Sequence, residues 1–249
     1  MFQQSMNNRI ASCAAATVLL TAGAAFAGDS PPLQVTAGIN GDVMQYDLSG
    51  TNISGNFFLY QESTVGSDYE IDWNITVNND LSAGVAGGYQ VLQSTVTFTN
   101  LGLETMDVSL DVALTDVLMP GSASSALYGG SISGSLTGGE LGGFLNSSLD
   151  NPLYMASIDS SDPITSLYNT FSFATDPFQS VQIPAENFGV PVPSLPGDIT
   201  TEMSVLMSFE LSGQSTVAFT STFVAQIPAP GAAVTLGLGF LVPRRRRKA

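Results

Sequence analysis

The amino-acid sequence predicts an all-β protein: a single β-sandwich or jelly-roll-like domain, residues 28–226, between an N-terminal signal helix and a short C-terminal apolar helix. Three observations carry this expectation. Apolar and polar residues alternate strictly over several short runs, the pattern of a strand with one face buried. Gly, Asn and Pro gather between those runs as turn signals. Helical periodicity of useful length is absent outside the two ends of the chain.

The strands follow in order. "NFFLY" near Phe57 is the first. "YEIDWNITV" puts Tyr69, Ile71, Trp73, Ile75 and Val77 on one face and Glu70, Asp72, Asn74 and Thr76 on the other. "VTFT" around Phe98 comes next. "MDVSLDVAL" points Val108, Leu110, Val112 and Leu114 inward, with Asp107, Ser109 and Asp111 outward. "LYNTFSF" near Phe171 reads as a further strand. "MSVLMSFEL" buries Met203, Val205, Met207, Phe209 and Leu211, and "VAFTSTFV" buries Val217, Phe219 and Phe223. Turns are expected at Asn78-Asn79-Asp80, Asn100-Leu101-Gly102, Met119-Pro120-Gly121 and Ser212-Gly213.

Two stretches interrupt the rhythm. Residues 121–151 are so rich in Gly and Ser that a long loop or irregular hairpin is expected. Residues 188–198 hold Pro191, Pro193 and Pro196 and should be extended. A single domain with a loop insertion is preferred, because the strands after Asp198 are too few to close a core alone. Carboxylates at outward strand positions are solvated there and discourage edge-to-edge pairing.

Charge is distributed very unevenly. The chain has 21 Asp+Glu, 6 Lys+Arg and no His. The cations are Arg9 and the block Arg244, Arg245, Arg246, Arg247 and Lys248, so residues 28–226 carry all 21 acids and no base. Such a body cannot neutralise phosphates, which excludes nucleic acid as a partner. It is also repelled by anionic lipid surfaces.

The same composition removes most catalytic chemistry. Without His there is no Ser-His-Asp triad and no histidine-ligated metal. The only cysteine, Cys13, lies in the N-terminal apolar segment, and the body has no Lys for a Schiff base or a Ser-Lys dyad. No phosphate-loop or Gly-x-Ser-x-Gly motif occurs. Paired carboxylates remain, which leaves a glycosidase as a distant third reading. The expectation is a protein that is not an enzyme, with no catalytic residue and no cofactor. Calcium is the one ion the oxygen-rich groups would suit. The candidates are Asp68, Glu70 and Asp72 on one strand face, Asn78, Asn79 and Asp80 at a turn, and Asp159 with Asp162; none matches a calcium-loop motif, and a solvated acidic surface is the simpler reading.

Aromatic side chains suit sugar binding, because a ring offers an apolar face with a polar edge. Trp73 has the phase of a core residue. Tyr60, Tyr89, Tyr128, Tyr154 and Tyr168 are dispersed, and three of them fall in expected loops. The sequons at Asn52, Asn74 and Asn146 read as chance in a Ser/Thr/Asn-rich chain.

The ends address the protein. Arg9, the apolar run 10–26 and the small-x-small pattern Ala25-Phe26-Ala27 before Gly28 form a secretory signal peptide over residues 1–27, cut by signal peptidase. At the other end stand Pro228-Ala229-Pro230, the apolar run 231–242 and the basic block from Arg244. That run is short for a stable membrane span, and the cations after it would stay on the cytoplasmic side.

Residues 227–249 resemble the PEP-CTERM sorting signal of Gram-negative bacteria. Its pattern is a Pro-x-Pro start, a short apolar helix and a terminal Arg cluster, here Pro228, Ala229 and Pro230, then 231–242, then Arg244, Arg245, Arg246 and Arg247. Ala229 stands where the family's name-giving motif has Glu, and Pro243 interrupts the approach to the arginines. The resemblance implies recognition by an exosortase-like membrane enzyme, removal of the tail from Gly231 onward, and only transient membrane contact through that tail. The body is not covered by it. Together these features predict a secreted, acidic protein of the bacterial cell surface or extracellular exopolymer matrix, structural or adhesive in role, with surface polysaccharide as a partner. A lectin-like, calcium-dependent carbohydrate-binding module is the alternative.

Overall fold

The computed structural model describes residues 30–80, 88–115, 126–148, 151–159, 162–197 and 202–227. These hold β1 (Leu33–Ile39), β2 (Asp42–Leu48), β3 (Thr51–Ser54), β4 (Phe57–Val65), β5 (Tyr69–Asp80), β6 (Tyr89–Asn100), β7 (Met106–Leu114) and β8 (Ala126–Thr137). They continue with β9 (Gly143–Asn146), β10 (Tyr154–Ile158), β11 (Asp162–Leu167), β12 (Ser172–Thr175), β13 (Ser180–Phe188), β14 (Leu195–Gly197), β15 (Met203–Leu211) and β16 (Thr216–Gln226).

The strands form two eight-stranded antiparallel sheets packed as a sandwich. Sheet A runs β11-β10-β15-β7-β1-β2, with β9 paired to β15 and β12 paired to β9. Sheet B runs β13-β8-β16-β6-β5-β4-β3, with β14 beside β8. Alternation decides what lies between them. Ile71, Trp73, Ile75 and Val77 of β5 meet Leu92, Val96 and Phe98 of β6 on the inner face, all buried. From sheet A come Val108, Leu110, Val112, Met203, Val205, Met207 and Phe209. Rings lock the layers together: Phe209 of sheet A lies 5.9 Å from Phe98 and 5.3 Å from Phe219 of sheet B, and Tyr46 lies 5.4 Å from Trp73. Such pairs add roughly 0.5–1.5 kcal/mol each beyond their buried area.

The expected long loop over residues 121–151 is corrected by β8, a twelve-residue strand in the interior of sheet B between β16 and β13. Its inward positions read Tyr128, Gly130, Ile132, Gly134 and Leu136, large and small in turn. The glycines make room. A Cβ on Gly134 would stand 2.4 Å from the Ala218 carbonyl oxygen and 2.9 Å from the Phe219 ring. One on Gly130 would stand 2.6 Å from the Thr222 carbonyl oxygen and 2.8 Å from the Tyr154 hydroxyl.

Two smaller corrections follow. Asn78-Asn79-Asp80 is not a turn but the end of β5, paired with Val91, Gln90 and Tyr89. "LYNTFSF" is not one strand: β11 ends at Leu167, Tyr168 takes a left-handed φ of 54°, and β12 starts at Ser172. Tyr168, Phe171 and Phe173 stack as a ring cluster instead, 5.9–6.3 Å apart, which imitates strand alternation in the sequence. The proline-rich stretch ends in the short strand β14, held by Tyr128, Leu127 and Ala126 of β8.

The sandwich has two poles. At the first, β1 and β2 join through Asn40-Gly41, both at positive φ, the pattern of a two-residue hairpin turn. Turns after β4, β6, β8, β12 and β15 gather at the same pole. Leu101 donates its N–H to Asp68 O, Gln214 to Gly102 O, and Phe178 to Gly139 O. Asn100, fully buried at the end of β6, joins the sheets here. Its Nδ2 reaches the carbonyls of Leu211 and Ser212 at 3.2 Å and Glu104 at 2.7 Å, and its Oδ1 accepts the Gly102 N–H. At the second pole, Leu33 pairs with Leu114 and Leu114 with Met203, while Gln226 lies beside Tyr89 and Leu127. The described body therefore begins at Ser30 and ends at Ile227 on the same pole.

Candidate functional site

The sites expected at the ends of the chain lie outside the described residues: Ala25 and Ala27 of the signal peptide, and Pro228, Ala229, Pro230, Arg244, Arg245, Arg246 and Arg247 of the sorting segment. The Met119-Pro120-Gly121 turn and the Asp162 side chain lie outside them too. The body itself offers three features.

The first is a shallow trough of about 450 Å³ on the outer face of sheet B, spanning β4, β5 and β6. Strand register builds it. Gln61 pairs with Asn74 and Asn74 with Thr95; one rung on, Ser63 pairs with Asp72 and Asp72 with Thr97. Adjacent strands stand about 4.8 Å apart and successive rungs about 6.7 Å apart. Six polar side chains thus sit on a grid of about 10 by 7 Å. Among the described residues these side chains make no hydrogen bonds within the protein, so their amide, hydroxyl and carboxylate groups face outward unengaged.

Further along the same face, toward the second pole, Phe57 and Tyr89 are 46 % and 38 % exposed. Asn78, paired with Phe57 and Val91, donates its Nδ2–H diagonally to the Tyr89 hydroxyl at 3.3 Å.

The second feature is the set of tyrosines, of which three were expected in loops. Tyr60, from the expected strand "NFFLY", and Tyr128 and Tyr154 are all fully buried strand residues. The Tyr60 hydroxyl donates to Pro31 O at 2.6 Å, and burial pushes its pKa up to about 12 against the opposing hydrogen bond from Ser30. Tyr154 donates across the sandwich to Thr222 O at 3.1 Å, and burial drives its pKa far up. These rings are structural. Trp73 lies in the core as its phase predicts, with its Nε1–H lacking a partner.

The third feature is the carboxylates. Asp68 sits just before β5, where its Oδ2 accepts from Ser67. It does not join Glu70 and Asp72 in a cage. Asp159 accepts the Glu202 N–H at 3.2 Å. Among the described residues no group of three or more Asp, Glu, His or Cys side chains gathers to hold a metal ion. One carboxylate is unusual. Asp111, on the outer face of β7, is sunk among its neighbours and its Oδ1 has no hydrogen-bond partner. Burial, then the charge of Glu202, raises its pKa from 3.8 to about 6. Its outward phase was legible in the sequence; its burial was not.

Large apolar side chains at the first pole are well exposed: Leu101, Leu103, Leu141 and Phe178 at 48 %, 77 %, 94 % and 71 %. Among the described residues no helix is long and apolar enough to cross a membrane.

No family model and no curated protein sequence matches the chain. Among solved structures, a chain from "Structure of infectious bursal disease virus Gx strain" is similar over 86 % of this chain and 59 % of its own length, at 10 % identity and a TM-score of 0.23. This chain thus spans less than two thirds of the structure it matches. A score so low carries no argument about fold or role.

Proposed function

We propose that the protein is a secreted, acidic β-sandwich of the bacterial cell surface or exopolymer matrix, structural or adhesive in role, delivered by a signal peptide and an exosortase-sorted tail. The observation that carries this reading is the position of the two ends of the described body. Ser30 follows the signal segment and Ile227 opens the sorting segment, and both lie at one pole. A tail held in the membrane from that pole stands the sandwich upright. The apolar tips at the far pole and the broad face of sheet B then look away from the lipid. The body between the ends carries 21 acids and no base, which keeps it hydrated and repels it from anionic lipid.

The test is intact-mass and peptide-end spectrometry on the chain recovered from the outer surface of its own host. The mature form should start at Gly28 and lack the segment from Gly231 onward. A surface-exposed chain that still carries Arg244 to Lys248 would overturn the sorting part of the proposal.

A further inference from the structure

The geometry points to the trough on β4, β5 and β6 as a docking site for an uncharged polysaccharide chain. It deepens the proposed function by naming the partner, and it rests on that reading only for where such a polymer would be met.

The chemistry of the lining carries the inference. Gln61 and Asn74 each offer an amide donor and acceptor, Ser63, Thr95 and Thr97 offer hydroxyls, and Asp72 accepts only. A ligand that satisfies this set must both donate and accept hydrogen bonds repeatedly over a flat area, which is what the hydroxyls of a pyranose ring do. The groups are free to engage, since none is used within the fold among the described residues. Hydroxyl donors to a carboxylate form the stronger, charge-assisted type of bond, so Asp72, at the centre of its rung, is the anchor.

Charge selects within the sugars. Asp72 stands within the trough, Glu70 lies one rung away on the same strand face, and residues 28–226 hold no Lys or Arg. An acidic polymer such as a uronate would bring like charge against like with nothing to neutralise it. A neutral glycan meets no such penalty.

Extent selects for a chain over a single sugar. Phe57 lies four residues from Gln61 along the same face of β4, about 13 Å away. Phe57 and Tyr89 present apolar ring surface there, the complement of the C–H faces of a pyranose. One ligand that fills the polar grid and reaches the rings must be several sugar units long.

The experiment is a binding array with the purified full-length chain against neutral gluco-, manno- and galacto-oligosaccharides of increasing length. Alginate and polygalacturonate serve as acidic probes, and all are read with calcium and with chelator. Binding to at least one neutral series is expected, strengthening with length and unchanged by chelator. The double variant Gln61→Ala/Asn74→Ala should lose tenfold or more in affinity with an unchanged unfolding midpoint, because both side chains are exposed. Phe57→Ala should weaken only the longer ligands. Thr36→Ala, on the outer face of sheet A, should change nothing. A blank neutral array, binding confined to the acidic polymers, or neutral binding indifferent to the double variant each overturns the inference. None of those outcomes bears on the processing of the tail, so the sorting proposal and this one fail separately.

Discussion

The two sheets have the same number of strands and opposite outer faces. Sheet B keeps its outer polar groups in solvent. Gln61, Asp72, Asn74, Gln93 and Thr95 are all exposed, and the face is broad enough to hold a trough. Sheet A draws its outer polar groups in. Ser204 and Ser208 of β15 are 7 % and 4 % exposed, Ala113 is 8 %, and the Asp111 carboxyl is held with one oxygen unpartnered. Identical alternation in sequence therefore yields a wetted face in one sheet and a half-dry one in the other. What differs is the set of cross-strand neighbours. Asp111 lies between Thr36 of β1 and Leu206 of β15, whereas Asp72 lies between Ser63 and Thr97.

The comparison breaks most completely at Gly134, on which the interior of sheet B depends. Gly134→Val puts a branched side chain where even a Cβ would stand 2.4 Å from a neighbouring carbonyl oxygen and 2.9 Å from the Phe219 ring. The carbonyl is backbone and cannot swing aside, so β8 must separate from β16. Overpacking of this kind costs about 3 kcal/mol or more. Urea unfolding followed by tryptophan fluorescence checks it, since Trp73 is the single tryptophan and lies in the core. A midpoint equal to that of the wild type would mean that β8 does not sit inside the sheet.

Next in size is the joint between the sheets. Asn100 ends β6 of sheet B and donates to the carbonyls that end β15 of sheet A. Asn100→Ala removes the donor to those carbonyl oxygens and leaves the Gly102 N–H only its bond to Asp68 O, at roughly 2 kcal/mol. The loss should be cooperative. A single unfolding transition moved to lower urea is expected, and an unmoved midpoint would show that the sheets are held together elsewhere.

How much of this was legible turns on which residues face inward. Strands β5, β7, β15 and β16 announce themselves because large apolar side chains fill most of their inward positions, as in Ile71-Trp73-Ile75-Val77. Strand β8 has the same period, but Gly130 and Gly134 fill alternate inward positions, and a glycine is scored as a turn signal whether it bends the chain or makes room for a ring. The first hairpin was readable and went unread: Leu33, Val35, Ala37 and Ile39 alternate, and Asn40-Gly41 follows them.

The trough was half visible. The outward phase of Asp72 and Asn74 follows from β5 alone, but Gln61, Ser63, Thr95 and Thr97 join them only through the register of three strands. Sequence patterns do not encode register between non-local strands. The buried tyrosines mislead for the related reason that Tyr128 and Tyr154 sit in segments whose neighbours are Gly, Ser and Pro.

The finest test concerns Asp111 and acts through pH. In the fold its carboxyl keeps the proton up to about pH 6, because burial disfavours the charge and Glu202 adds to the penalty; in the unfolded chain the pKa is near 3.8. Between those values the native state binds more protons than the unfolded state. This residue's contribution to stability therefore falls as pH rises through that window and is level above it. The cost of the ionised form is roughly 2–3 kcal/mol. Asp111→Asn removes the charge and keeps the shape, but its amide meets the same poor set of partners, so about 1–2 kcal/mol should be regained at pH 7. At pH 3.5 the two proteins should unfold at nearly the same urea concentration. Their midpoints should part between pH 4 and pH 6 and run parallel beyond. Profiles of the wild type and Asp111→Asn that stay parallel from pH 3.5 to pH 7 would mean that the outer face of sheet A is as open as that of sheet B.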